Sequence, residues 1–148
     1  MISKFLILNA VTLALPIAAM SQQQNPTNLE TYEWKNRLVL IFSPPSAYPN
    51  YQQQMAEWQN LEAGFDDRDI KIFHLLGEGK SFIDEQKISS KEVSRLSKKY
   101  EVDDAEFTVI LIGKDGTEKL RGEDPLRSQK LFSVIDAMPM RQREMQEN

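Results

Sequence analysis

The chain has 148 residues, of which 41% are hydrophobic and 27% charged, with a formal net charge of −4 at pH 7. This composition is that of one ordinary globular domain and excludes a disordered or fibrous chain. Nucleic-acid or anionic-membrane binding usually shows as a basic patch, and the sequence contains none. The chain has no cysteine. That excludes disulfide exchange and thiol peroxidase chemistry by the polypeptide alone, because both need a thiolate.

The N-terminal segment has the features of a secretory signal peptide. Lys4 precedes FLILNAVTLALPIAA, an apolar stretch of 15 residues, which is short for a membrane-spanning helix of about 20 residues. The small residues Ala19 and Ser21 predict cleavage after Ser21, with Ala19 as the alternative, so residues 1–21 are predicted to be a signal peptide. An uncleaved anchor is the other interpretation. We expect export to the periplasm or the extracellular space, with no stable membrane insertion after cleavage.

The first ordered element is predicted to be a buried strand. Residues 22–31 are polar and predict a flexible lead-in. RLVLIFS follows, with five consecutive apolar residues, Leu38–Phe42. Such a run is typical of a strand buried on both faces, as in the centre of a parallel sheet. Pro44 and Pro45 are predicted to end it.

A helix and a second strand are predicted next. From Pro49 onward, apolar residues recur at spacings of three and four, which indicates an amphipathic helix that Gly64 closes. IKIFHLL, residues 70–76, then alternates as a strand does, with Phe73 on one face and His74 on the other. The following segment, GEGKSFIDEQKI, predicts a loop with at most a short extended piece.

The last third of the chain predicts a helix, a hairpin and a final helix. Ser89 and Glu92 have the spacing of a capping box at a helix start. Asp115 and Gly116 lie between two strand-like segments and predict a tight turn in which both have positive φ. The final helix is predicted to end at Pro139.

The element order is therefore β-α-β-α-β-β-α. A parallel β-α-β half followed by an antiparallel hairpin and a helix is the thioredoxin topology. We predict an α/β fold of the thioredoxin-like kind, with a central mixed sheet flanked by helices. The domain is predicted to span residues 32–140, with a C-terminal tail at 141–148.

Four segments carry a resemblance to a known family: YEWKNRLVLIFSP, DRDI, VILIGKDGTEKLR and IDAMPMRQREM. They resemble a bacterial family of exported domains of unknown function, described as peroxiredoxin-like with a thioredoxin fold. The same domain is found in animal extracellular proteins of the sushi-repeat-containing and coiled-coil-domain-containing types. The similarity extends over 29–145. It implies the fold and export, and brings no established substrate, cofactor or catalytic residue.

Comparison with thioredoxins and peroxiredoxins shows two departures. Their catalytic cysteine follows the first central strand, where this chain has SPPSAYPNY, and their cis-proline precedes the hairpin, where this chain has Phe107 and Thr108. A redox role would therefore need a thiol supplied by a partner.

The loop SPPSAYPNY is the first candidate binding site, through Ser43, Ser46 and Tyr48. Unpaired N–H groups at a helix start can bind an anion or a peptide. The alternative is an inert loop stiffened by proline, since phosphate sites at helix starts usually contain glycine and this loop has none.

Arg68 and His74 are two further residues whose type suits a functional site. The cluster Asp66, Asp67 and Asp69 could offer oxygen ligands to calcium, but its spacing lacks the pattern of a calcium loop. An ion pair of Arg68 that holds the helix-to-strand connection is the simpler interpretation. His74 is the only histidine and has no triad or zinc motif beside it, so we predict a packed histidine.

Two segments could be docking surfaces. KISSKEVSRLSKKY is rich in lysine and arginine and could contact an acidic partner, or be a solvated helix face. Met140, Arg141 and Arg143 lie in MPMRQREM, where methionine beside arginine suits an adaptable protein-binding surface. A frayed end of the last helix is the alternative.

The sequence therefore predicts no catalytic residue, no metal site and no cofactor. We predict an exported, non-catalytic binding module whose partner is another exported protein or peptide, with no nucleic acid involved. The alternative is an accessory redox protein that acts with a cysteine-bearing partner. The oligomeric state stays open.

Overall fold

The computed structural model describes residues 25–46, 48–78 and 80–147. The predicted signal peptide at 1–21 lies outside the described residues. Within them, no helix combines the length and apolar character that crossing a bilayer requires.

The described residues form six strands and five α-helices after a short 3-10 helix, Leu29–Tyr32. The strands are β1 (Arg37–Pro45), β2 (Ile70–Glu78), β3 (Ser81–Ile83), β4 (Gln86–Ile88), β5 (Thr108–Ile112) and β6 (Glu118–Gly122). The helices are α1 (Pro49–Glu57), α2 (Glu62–Asp67), α3 (Ser90–Lys99), α4 (Ser128–Asp136) and α5 (Pro139–Glu147).

The strands form one mixed sheet in the order β4-β3-β2-β1-β5-β6. β1 and β2 are parallel, and β5 and β6 are antiparallel to their neighbours. A six-stranded mixed sheet flanked by helices confirms the predicted α/β class and is consistent with a thioredoxin-like fold.

The central strand β1 is buried on both faces, as its apolar run predicts. Leu38, Leu40 and Phe42 belong to the core on the α3 side, whereas Val39 and Ile41 belong to the core beneath α1, α2 and α4. A strand between two helical layers needs apolar side chains at successive positions.

Two predictions about β1 and its helix are wrong. β1 continues through Pro44 and Pro45, where it pairs with β2 only, because the β5 ladder ends at Phe42. A missing N–H costs least at such an unpaired edge.

The predicted single helix is broken between α1 and α2, where Asn60 adopts φ 61°. Gly64 lies inside α2, where an added Cβ would come within 3.0 Å of Phe132. Its small size therefore serves packing of α2 on α4.

The segment predicted as a loop after β2 contains the short hairpin of β3 and β4. Ser81 fixes its start, because the Ser81 hydroxyl accepts from Leu76 N at 2.8 Å and donates to Leu76 O at 3.1 Å. The hairpin extends the sheet beyond β2.

The β5–β6 hairpin is confirmed, but its turn is longer than predicted. Gly113 N donates to Thr117 O at 2.9 Å, and of the two central residues only Gly116 has positive φ, at 76°. The Asp115 carboxylate accepts from Thr117 N at 3.1 Å and from its hydroxyl at 2.9 Å. This local hydrogen bonding favours the longer turn.

The N-terminus of α3 has half of the predicted capping box. Ser89 Oγ accepts from Glu92 N at 3.3 Å. The Glu92 carboxylate instead accepts from Thr27 Oγ1 and, at 3.0 Å, from Arg95 Nε. Thr27 is buried, so part of the segment predicted as a flexible lead-in is attached to α3.

The C-terminal segment is helical where a tail was predicted. Pro139 begins α5 instead of ending the last helix, which suits proline at a first helical position. α5 runs to Glu147, and its Arg141 is only 4% exposed. The domain therefore includes residues that the predicted boundary at 140 left out.

Candidate functional site

The predicted site residues lie at opposite ends of β1. Ser43 lies near the carboxyl end of this strand, and the loop with Ser46 and Tyr48 follows it. Arg68 and Arg141 contact residues beside the amino end of the parallel strands. The structure therefore makes two sites from the seven predicted residues.

A groove opens at the carboxyl ends of β1 and β2, between these strands and α3. It consists of three adjoining depressions, and Asp104 lies in the wall of each of them. The first has a volume of about 490 Å³. We call the three depressions together the carboxyl-end groove. Its lining includes Pro44, Pro45, Leu76, Glu78, Val93, Ser94, Ser97, Asp103, Asp104 and Glu106.

The sheet itself creates this groove. β5 pairs with β1 only as far as Phe42, so Ser43 has no strand neighbour on that side within the described residues. The chain before β5 supplies the opposite wall through Asp103, Asp104 and Glu106. In open α/β sheets, ligands bind outside the carboxyl ends of the strands. The position of the groove is therefore one where binding is expected.

The predicted loop residues contribute unequally to the groove. Ser43 is buried and lines it, and its hydroxyl donates to Pro45 O at 3.3 Å. Ser46 is exposed, and Tyr48 is half-buried against the core as the residue that precedes α1. Among the described residues, the Tyr48 side chain makes no capping bond. An anion site at this helix start stays a prediction.

An ion-pair network fills the amino end of the parallel strands. It joins Arg37, Arg68, Lys114 and Arg141 to Asp67, Asp69, Asp136 and Glu144. Its members come from β1, α2, the α2–β2 connection, the β5–β6 turn, α4 and α5. We call it the ion-pair network.

Arg68 makes the ion pair that the sequence predicts. Its Nε and Nη2 donate to the Asp136 carboxylate at 3.0 and 2.8 Å, and its Nη1 donates to Gly64 O at 3.1 Å. The guanidinium also lies 4.2 Å from the centre of the Phe132 ring. These contacts hold the α2–β2 connection against α4.

Arg141 reaches the same place from α5. It donates to Asp67 O at 2.7 Å and pairs with the carboxylates of Asp67 and Asp136. Burial by itself raises the pKa of Asp136, but hydrogen bonds and charges from Arg68 and Arg141 outweigh burial and lower the pKa. Both arginines are occupied by carboxylates, so neither guanidinium is available to an anionic ligand.

The other two residues predicted on α5 are less constrained. Arg143 is exposed, and Met140 is half-buried beside a cavity of about 230 Å³. The cations beside this cavity, Arg37, Lys114 and Lys119, are all paired with carboxylates. A role of Met140 and Arg143 in binding stays a prediction.

His74 is packed, as predicted. Its ring stacks on Phe82 with 4.1 Å between centroids, and its Nδ1 lies 2.9 Å from Tyr51 Oη. Burial lowers the pKa of His74 to about 4 and raises the pKa of Tyr51. At neutral pH the imidazole is neutral, and its Nδ1 shares a hydrogen bond with the Tyr51 hydroxyl whose direction is set by the His74 tautomer; the pair is a structural arrangement.

The sequence reasoning missed most of the groove. The candidates that the sequence offers do not include Asp103, Asp104, Glu106 and Ser97, although acidic residues before a buried strand are a visible signal. What the sequence could not show is that this segment faces the ends of β1 and β2.

Comparison with known proteins identifies the family. Residues 28–144 match a family described as a domain of unknown function (DUF4174). The chain belongs to this family. The resemblance predicted from the sequence is confirmed for the family of domains of unknown function and for the two kinds of animal relative, described below.

The DUF4174 domain has curated relatives at low identity. Sushi repeat-containing protein SRPX2 of Xenopus laevis is 28% identical over 114 residues, which are 75% of this chain and 25% of that protein. Coiled-coil domain-containing protein 80 of Danio rerio is 24% identical over 144 residues, covering 84% of this chain and 17% of that protein. Sushi repeat-containing protein SRPX of Rattus norvegicus is 27% identical over 120 residues, covering 79% and 26%.

The DUF4174 chain thus spans about a quarter or less of the length of these curated relatives. The similarity shows that these proteins contain a related domain. It assigns no activity to this chain.

Proposed function

We propose that this DUF4174 domain is an exported, non-catalytic binding module that holds a protein or peptide partner in the carboxyl-end groove. The groove is the observation that carries the proposal. Its first depression has a volume of about 490 Å³, and part of its lining is apolar. It also lies where α/β sheets bind ligands. The signal-like N-terminus supports a place in the periplasm or outside the cell.

The chemistry of the groove supports recognition over catalysis. The chain has no cysteine, and its one histidine packs between Tyr51 and Phe82. A nucleophile needs an adjacent base within hydrogen-bond reach. Ser43 donates to Pro45 O instead. The proposal accordingly includes no metal, no cofactor, no nucleic acid and no stable membrane insertion.

Site-specific photo-crosslinking tests the binding function. A photoreactive amino acid replaces Ser94, which is exposed in the groove, in cells that export the full chain. The matched control replaces Ser133, an exposed serine of α4 away from the groove. We expect adducts with one or a few exported polypeptides from position 94 and none from position 133. No adduct at 94, or the same adducts from both positions, would contradict the proposal.

Activity assays test the non-catalytic part. The purified chain should neither reduce insulin nor consume peroxide above background, because both reactions need a thiolate. Turnover in either assay would overturn this part. An accessory redox role with a cysteine-bearing partner would instead be favoured if the adducts at position 94 are thiol oxidoreductases.

A further inference from the structure

The carboxyl-end groove has an apolar floor and an acidic rim. Val93 and Val102, which belong to the core on the α3 side, are each less than 10% exposed and line its base. Glu78 and Asp104 are exposed at its edge. An occupant must therefore offer apolar surface inward and positive charge outward.

The rim carboxylates are not neutralised by the fold. Within the described residues, Glu78, Asp104 and Glu106 make no ion pair and no side-chain hydrogen bond, and Asp103 accepts only from Ala105 N at 2.8 Å. Lys98 is the one cation among the described lining residues. The carboxylates of the ion-pair network, by contrast, are all engaged by arginine or lysine.

A hydroxyl also faces the groove. Ser97 is 6% exposed and lines two of the three depressions. Within the part of the chain that the structure describes, its side chain makes no hydrogen bond to the protein, so its oxygen is available to an occupant of the groove that has polar hydrogens.

We infer that the carboxyl-end groove binds a polypeptide segment carrying lysine or arginine. This inference rests on the function proposed above. The aliphatic stem of either side chain lies along the apolar floor, and its cationic head reaches the rim carboxylates. The polar hydrogens of the segment reach the Ser97 hydroxyl. A bare metal ion fits less well, because the described residues contain no cluster of three or more metal-ligating side chains.

Selection from a random decapeptide library displayed on phage tests the inference. The immobilised proteins are the wild-type chain, the double variant Asp104→Asn/Glu106→Gln, and the control Glu62→Gln/Asp66→Asn. All four substituted residues are exposed, and each double variant removes two negative charges. The control therefore separates attraction by the groove from attraction by the net charge.

We expect the lysine and arginine content of peptides bound by the wild type and by the control to rise at least twofold over the unselected library. The groove variant should lose this enrichment. A synthetic peptide selected on the wild type should bind the groove variant about fivefold more weakly for each carboxylate removed, by fluorescence anisotropy at low salt. Circular dichroism checks that both variants are folded.

The inference fails if bound peptides are not enriched in lysine and arginine, or if the groove variant keeps the enrichment. If photo-crosslinking at position 94 still captures an exported polypeptide, the binding function stands and only the basic character of the partner is wrong. If crosslinking fails as well, both proposals fall.

Discussion

Arg37 of β1 and Glu144 of α5 form a two-pronged ion pair across 107 positions of sequence. Arg37 Nη1 and Nη2 donate to Glu144 Oε2 and Oε1, each at 3.1 Å, and Lys114 Nζ donates to Oε1 at 2.7 Å. Arg37 is 1% exposed. Burial alone raises the pKa of Glu144, but the hydrogen bonds and charges of Arg37 and Lys114 outweigh burial and lower the pKa. The carboxylate thus compensates two buried cations.

Glu144→Gln should lower the free energy of unfolding by roughly 2 kcal/mol, because Arg37 and Lys114 then stay buried with less compensating charge. Urea unfolding at pH 7 measures the loss. Glu147→Gln, on the exposed end of α5, is the matched control and should change little. Equal effects of the two substitutions would show that the pair contributes nothing.

Deleting residues 140–148 should destabilise the domain by more than about 3 kcal/mol, since it removes both Arg141 and Glu144 from the ion-pair network. Thermal unfolding followed by circular dichroism measures the shift in Tm. Deleting only 146–148 spares both residues and should leave Tm nearly unchanged. If the longer deletion also leaves Tm unchanged, α5 is a dispensable tail, as the sequence allowed.

Acid should destabilise the domain through His74 before the carboxylates titrate. The pKa of His74 is about 4 in the folded chain, below the ordinary value of 6.5, so the unfolded chain binds the proton first as pH falls. The contribution is fully present above pH 6.5 and is lost progressively toward pH 4.

From pH 7 to pH 5 the loss should be about 2 kcal/mol. Urea unfolding at pH 7, 6 and 5 measures it. His74→Gln should give a flat profile over this range, because Asp136 and Glu144, whose pKa values are lowered, titrate at more acidic pH. If His74→Gln loses stability from pH 7 to pH 5 as steeply as the wild type does, His74 is not the source of the pH dependence.

Gly116→Ala should lower the free energy of unfolding by about 1–2 kcal/mol, because φ 76° is costly for any residue with a Cβ. The added methyl would also come within 2.6 Å of Glu33 Oε1. Gly122→Ala is the control, since its Cβ would meet only Asp124 O at 3.8 Å. Similar effects at both positions would mean that the turn geometry is not the cause.

Much of the architecture could be predicted from local sequence. The apolar run Leu38–Phe42 indicated a strand between two layers, and Ser89 indicated the start of α3. Where the prediction failed, a neighbour distant in sequence was the reason. Gly64 looked like a helix end, but its small side chain admits Phe132 of α4.

The candidate sites, too, could be predicted only in part from local sequence. Arg68 could be read as an ion-pairing residue because carboxylates surround it in sequence, yet its main partner is Asp136, 68 positions away. Arg141 could not be distinguished from Arg143 in the same segment. Only the packed chain shows that Arg141 is 4% exposed and Arg143 is exposed.

By itself, the sequence determined the α/β class, the two-sided burial of β1 and the impossibility of thiol chemistry, because these follow from local pattern and residue type. The tertiary structure decided which charges are neutralised and which remain at the carboxyl-end groove. The reason is physical. Electrostatic pairing depends on distance in space. Only once the sheet, α3 and α5 have come together does Arg37 meet Glu144, whereas Asp104 pairs with no cation of the described residues.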